Sequence, residues 1–114
     1  MHELGIVFHV IQSVERVGEE NGLSSVSSVT LELGEVSGVV PQELRDCWNW
    51  AVKKTELLPQ AELKIETIPA VTYCADCARE YPTVRYGRTC PHCGGEKTWL
   101  VRGNEINIKE IEAL

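Results

Sequence analysis

Four of the five cysteines stand in two Cys-x-x-Cys pairs, Cys74-Ala75-Asp76-Cys77 and Cys90-Pro91-His92-Cys93, with twelve residues between the pairs. No other feature limits the folds open to this chain as strongly. Two residues between thiols let one tight turn present both sulfurs to a single ion, and two such turns supply the four thiolates of a tetrahedral zinc centre. Gly94-Gly95 follows the second pair and gives the backbone freedom for a turn that aims amides at a thiolate. Cys74, Cys77, Cys90 and Cys93 are therefore expected to hold a structural Zn(II). Four protein ligands leave no open position for a substrate, so such a centre explains a fold and leaves the function open.

A chain of 114 residues with 43% hydrophobic and 25% charged residues is expected to form one domain, or one body with a small module. A module of about thirty residues buries too little apolar surface to hold itself together, so zinc has to supply the missing stability. The apolar stretches are shorter than a membrane span, and no basic region followed by an apolar run opens the chain. The expected setting is the cytoplasm, where thiols stay reduced and Cys-x-x-Cys pairs more often hold metal than form disulfides. The net charge of −6 is uneven: residues 72–102 carry a formal +2 and the rest −8. Four thiolates around one zinc ion bring the module to zero, which disfavours non-specific nucleic-acid binding.

Residues 3–21 read as an amphipathic helix, with Leu4, Val7, Ile11, Val14 and Val17 on one stripe widened by Ile6 and Val10, and Asn21-Gly22 as its stop. Val29 to Leu33 alternates with period two and ends at Gly34, as a half-buried strand does. Pro41 suits the first turn of a second helix, whose apolar face is Leu44, Cys47, Trp48, Ala51 and Val52. Leu63 to Thr67 and Ile106 to Ile108 are two more alternating strands, on either side of the cysteines. The order predicts an α+β body, a three-stranded sheet with two helices on one face, into which a zinc-ribbon-like module is inserted. The body takes residues 1–70 and 103–114, the module 71–102, and the linkers 69–71 and 102–104 are expected to allow hinge motion.

Met1-His2-Glu3 is the second informative stretch. A chain that keeps Met1 offers its α-amine, the backbone nitrogen of His2 and the His2 Nδ1 as donors closing two fused chelate rings. Three nitrogens in a plane suit square-planar Ni(II) or Cu(II), and the fourth position is open to the Glu3 region, another side chain or a partner. On chemistry alone this signal is weak, because chain ends are commonly disordered. Cys47 reads as a buried small hydrophobe, His9 as a surface residue and His92 as an exposed residue of the second knuckle. Trp48 belongs to the helix stripe, while Trp50 falls off it as an exposed contact. No nucleophile–base pair, no phosphate-cradling loop and no paired carboxylates present themselves, so no enzymatic activity is expected.

These marks taken together resemble the HypA/HybF hydrogenase nickel-incorporation proteins. They are Met1-His2-Glu3-Leu4, the strand end Leu33-Gly34-Glu35, Pro41 before the second helix, the two cysteine pairs, and Gly103-Asn104-Glu105-Ile106 through Ile111-Glu112. The resemblance implies a metallochaperone. His2 would be the nickel ligand, with the adjacent N-terminal nitrogens completing most of the plane, and the four cysteines would hold structural zinc. The implied partners are an accessory nickel-insertion GTPase and the large subunit of a [NiFe] hydrogenase; in some organisms urease maturation is also served. Neither nucleic acid nor membrane is an expected partner, and a monomer or weak homodimer is expected. Some members carry an acidic residue near the position of Val40, where this chain is apolar, so Glu3, Glu35, His92 or a partner residue is left as fourth nickel ligand. The competing reading is a zinc-ribbon adaptor for nucleic acid or transcription machinery, whose binding would weaken steeply with salt; a thiol redox sensor would instead show labile zinc and reversible cysteine oxidation.

Overall fold

The chain runs α1 (Glu3–Asn21), β1 (Val26–Gly34), α2 (Pro41–Val52), β2 (Glu62–Ile68), β3 (Val71–Cys74), β4 (Arg79–Pro82), α3 (Thr83–Tyr86), β5 (Thr98–Arg102) and β6 (Ile106–Ala113), in a computed structural model that describes residues 3–114. The expected nickel donors of Met1 and His2 lie outside the described residues. Two compact units emerge: one holds residues up to Glu32, Val39–Glu66 and Asn107–Leu114, and the other Leu33–Gly38 with Thr67–Ile106.

In the first unit, α1 buries Val7, Val10, Ile11, Val14 and Gly18. Leu4 and Val17, expected in this stripe, are instead 38% and 36% exposed. The row continues from Val14 to Gly18, and Val17 is turned about 100° round the helix axis from it. A Cβ at Gly18 would sit 2.6 Å from Leu57 Cδ2, so a larger residue there would require the leucine side chain to shift. The helix ends as its sequence indicates. Gly22 adopts φ +65°, Leu23 N–H donates to Gly18 O at 2.9 Å and Gly22 N–H to Glu19 O at 3.4 Å, the paired bonds that satisfy orphan carbonyls at a helix end.

Pro41 opens α2 behind Val40, which offers no side-chain cap. The helix buries Leu44, Trp48, Ala51 and Val52, whereas Cys47 is only half-buried. Trp48 is completely enclosed, and its indole N–H donates to Ala61 O at 2.9 Å, which satisfies the one polar atom the ring carries into the core. Trp50 is exposed, as expected, and carries Lys54 Nζ 4.2 Å from its ring centroid.

The sheet that accompanies these helices has the order β2-β1-β6. Leu114 N–H donates to Ser25 O and Ser27 Oγ to Glu112 O, so β6 runs antiparallel to β1. Buried Val29 and Leu31 of β1 and Leu63 of β2 join the apolar helix faces in the core. The α+β class, with a three-stranded sheet, two long helices and a cysteine unit entered before the last strand, agrees with the sequence reading. Among the described residues, no helix is long and apolar enough to cross a membrane.

The enclosure of Trp48 gives a stability prediction. Trp48→Ala should lower the unfolding free energy by about 3–5 kcal/mol, read as a fall in the urea midpoint; a change within experimental error would show that the ring is not the keystone of this core.

Candidate metal centre

A second three-stranded sheet, β4-β3-β5, carries the cysteines. Both of its pairings are antiparallel, with Cys74 opposite Arg79 on one side and Thr98 on the other. Cys74 is thus the last residue of the central strand, its backbone flanked by a neighbour on each side. These short strands escaped the sequence reading, although Val71-Thr72-Tyr73 is a run of β-branched and aromatic residues that carries the signal. Tyr73 and Trp99 face each other across β3 and β5 with ring centroids 5.0 Å apart.

Two knuckles deliver the sulfurs. In the first, Ala75 N–H donates to Lys97 O at 2.9 Å, and the chain leaves Cys77 through Ala78 at φ 57°. In the second, Cys90 N–H donates to Gly95 O at 2.9 Å, Gly94 N–H to Cys90 O at 2.8 Å, and the chain leaves Cys93 through Gly94 at φ 73°. Each pair is therefore followed by a left-handed residue, which suits glycine and strains alanine. Gly95 is equally constrained: a Cβ there would run into the Asp76 carboxylate and lie 3.2 Å from Cys93 Sγ.

The four ligand atoms of Cys74, Cys77, Cys90 and Cys93 all lie within 4.8 Å of one another. Cys74 Sγ is 3.6 Å from Cys93 Sγ, and Cys77 Sγ is 3.6 Å from Cys90 Sγ. Four sulfurs each ~2.3 Å from a central zinc would stand about 3.8 Å apart in a regular tetrahedron. The donor set thus fits a tetrahedral thiophilic ion. His92 N–H points at Cys90 Sγ and Gly95 N–H at Cys93 Sγ, both at 3.4 Å, so backbone amides reach the sulfurs as the sequence led one to expect. Cys74 and Cys90 are buried against Tyr81, with Cys77 packed beside them. The Tyr81 hydroxyl donates to Gly87 O at 2.8 Å, which leaves its ring as the apolar wall of the centre.

Without an ion the thiols are electrostatically unequal. Burial, followed by hydrogen bonding with the other three cysteines, pushes Cys77 up to about 12. Burial also acts to raise Cys90, but the amides of Cys93 and His92 and the thiols of Cys77 and Cys74 outweigh it and bring Cys90 down to about 7. Cys93 is raised: the Gly95 amide favours its thiolate, yet contact with Cys74 and burial prevail.

The remaining candidates fall outside this centre. His92 and His9 are exposed, and Glu3 is half-buried at the start of α1. Glu35 accepts the Ala70 N–H on its Oε1 at 2.8 Å, so part of its acceptor capacity is already used. At the expected linkers 69–71 and 102–104, Ala70 and Gly103 are both buried, and a Cβ on Gly103 would collide with the Ala70 backbone.

Two outcomes follow from this geometry. Ala78→Gly should stabilise the cysteine unit by up to about 1 kcal/mol, since it relieves a left-handed alanine against a smaller entropic loss; an unchanged or lower melting point would refute the strain. Metal uptake should weaken as pH falls, because ligation needs thiolates. Above about pH 7 Cys90 is already ionised, so the protons released on binding come from the remaining thiols, the raised Cys77 and Cys93 among them; below it Cys90 must also give one up. Proton release per ion, measured by titration in weak buffer, should rise by about one on crossing that pH, and a constant count would contradict the assignment.

Comparison with known proteins accords with this geometry. A family model described as hydrogenase/urease nickel incorporation, metallochaperone, HypA matches residues 1–113. The hydrogenase maturation factor HypA of Geobacter metallireducens is 38% identical over 112 residues, 98% of each chain. The hydrogenase maturation factor HybF of Klebsiella pneumoniae is 31% identical over 112 residues, again 98% of each. Among solved structures, the Ni metallochaperone HypA from Helicobacter pylori shares the fold with a TM-score of 0.75 at 22% identity, covering 100% of this chain and 98% of that one. With its four-sulfur centre, its two sheets and a family match along nearly its whole length, the chain belongs to the HypA family of hydrogenase maturation factors.

Proposed function

We propose that this protein is a nickel metallochaperone that takes up Ni(II) at its N-terminus, delivers it for [NiFe] hydrogenase maturation and keeps a structural Zn(II) at Cys74, Cys77, Cys90 and Cys93. The observation that carries this reading is that the nickel-incorporation family match begins at residue 1, and so takes in Met1-His2-Glu3. The chemistry of the two donor sets divides the labour. Four thiolates saturate a tetrahedral ion and suit zinc in a structural role. The Met1 α-amine, the His2 backbone nitrogen and the His2 Nδ1 form a planar set that suits Ni(II) and leaves one position open.

That open position is what a carrier needs. It lets an incoming ligand from a receiving protein enter before the old ones leave, so the ion is passed on without being released to water. No reaction on an organic substrate is required, and the protein acts as a carrier rather than an enzyme. Glu3, His92 or a residue of the receiving protein supplies the fourth donor; Glu35 is the weakest candidate because its carboxylate already holds the Ala70 amide. Copper binds such nitrogens more tightly than nickel, so the choice of nickel rests on the family. The receiving machinery in this reading is an accessory nickel-insertion GTPase and the hydrogenase large subunit in the cytoplasm, and urease maturation fits the same family description.

The site is tested by calorimetric nickel titration of the untagged chain. His2→Ala should lower nickel affinity by more than about tenfold while zinc content and far-UV circular dichroism stay unchanged. An N-terminally acetylated chain should do the same, because its α-amine can no longer bind. The α-amine titrates near ~7.7–8.0 and imidazole near ~6.5, and both must lose a proton to bind, so affinity should fall on acidification. Nickel affinity that survives both changes would rule the terminal site out.

A further inference from the structure

Five residues at the root of the cysteine unit stand outside the four-thiol centre, yet they are tied closely to one another: Gly34, Glu35, Ala70, Gly103 and Glu105. Gly34 N–H donates to Glu105 O at 2.8 Å, Glu35 N–H to Ile68 O at 2.9 Å and Val36 N–H to Gly103 O at 2.8 Å. Two carboxylates complete the set. Glu35 Oε1 accepts the Ala70 N–H at 2.8 Å, and Glu105 Oε1 accepts the Gly103 N–H at 2.7 Å. These are charge-assisted bonds to backbone amides at buried residues, the stronger kind of hydrogen bond. Packing leaves no tolerance: a Cβ on Gly34 would run into the Gly103 carbonyl and lie 2.6 Å from Asn104 N, and Gly103 sits at φ +117° against Ala70.

Both clamped points lead straight to the metal centre. Ala70 immediately precedes β3, which ends at Cys74; Gly103 immediately follows β5, whose Thr98 is the register partner of Cys74. Ala70 O also accepts the Thr83 N–H at 3.1 Å, which ties the start of α3 to the same point. The apolar cluster behind the sulfurs is small, with Tyr81 the only non-cysteine residue among its buried members. A unit with so little core depends on its ion to hold short strands in register.

We infer that Glu35 and Glu105 are positioning residues that couple occupancy of the four thiols to the order of Leu33–Gly38. When the ion is bound, β3 and β5 are pinned at Cys74 and present Gly103 O, Glu105 O and the Ala70 N–H to the segment. When the ion leaves, the strands loosen from the Cys74 end, and the segment loses its acceptors. Coupling is reciprocal, so whatever weakens the grip on Leu33–Gly38 also speeds loss of the ion. The segment takes in the last two residues of β1 and runs on towards Val40, the N-cap of α2, so it is the stretch of chain in which the state of the thiols becomes legible outside the cysteine hairpins. The inference rests on the four-thiol metal reading and not on the terminal nickel site.

The test uses the full chain, with amide exchange followed by NMR on the zinc form and after chelation, and Co(II) absorption recorded in parallel. Zinc removal should speed exchange at Gly34, Val36 and Ala70 by about tenfold or more, together with β3. Glu35→Ala, with its cobalt thiolate bands intact, should pass its ion to a chromogenic chelator several times faster than the parent chain. Glu35→Gln, which keeps an oxygen able to accept the Ala70 N–H, should recover most of that difference. Unchanged exchange at Gly34, Val36 and Ala70 on chelation would overturn the coupling, as would a Glu35→Ala release rate equal to the parent's. If Glu35→Ala does not fold, the exchange comparison on the parent chain decides alone. Absence of cobalt thiolate bands in the parent would overturn the metal reading and the coupling with it; loss of the terminal nickel site would touch neither.

Discussion

Four sulfur atoms brought within one coordination sphere are the constraint on which the cysteine unit depends. No disulfide is formed among the described cysteines, and the buried cluster around the sulfurs is small. Such a unit cannot rely on area burial, since short segments leave too much of their surface in water. Its backbone is instead drawn tight around the thiols. Left-handed residues follow each pair, amides point at two of the sulfurs, and Cys74 is locked between two antiparallel neighbours. The inequality of the metal-free thiols has the same origin, because burial and amide direction act on each sulfur in different proportion.

The other unit is held by ordinary means. An apolar core, with Trp48 the largest of its fully buried side chains, fixes α1 and α2. Its polar decoration is peripheral: Lys64–Glu112 and Lys109–Glu66 are half-exposed ion pairs across the outer strands, of a type that adds little stability each. The acidic balance of the chain is therefore not a matter of buried charge networks. Where carboxylates are structurally important, as at Glu35 and Glu105, they act as acceptors for backbone amides and not as ion-pair members.

Periodicity made the long elements readable. Both main helices begin where the sequence places them, at Glu3 and Pro41, and α1 ends at Asn21 before a glycine with positive φ. The short strands of the cysteine unit were not readable from alternation, and only the composition of Val71-Thr72-Tyr73 marks β3. β3 and β4 have four residues each and β5 has five, too few for alternation to rise above chance. The edge of the α1 stripe was misjudged at Val17, since a glycine gives no hydropathy signal even when it is the residue pressed against a neighbour. Cys47 shares the apolar spacing of α2 yet stays partly open, because spacing assigns a face and does not say how completely that face is covered.

The sequence alone determined the donor set, because ligand spacing within a tight turn is local chemistry: Cys-x-x-Cys presents two sulfurs to one point whatever surrounds it. It also determined the class of the fold, through hydrophobic periods that each element carries within itself. Only the tertiary structure decided how Gly34, Glu35, Ala70, Gly103 and Glu105 are used, since the three stretches that carry them are far apart in the chain and none by itself shows that they meet. Their meaning lies in close approach of backbone to backbone. A string of letters records which positions lack a side chain, and only packing shows what fills the space.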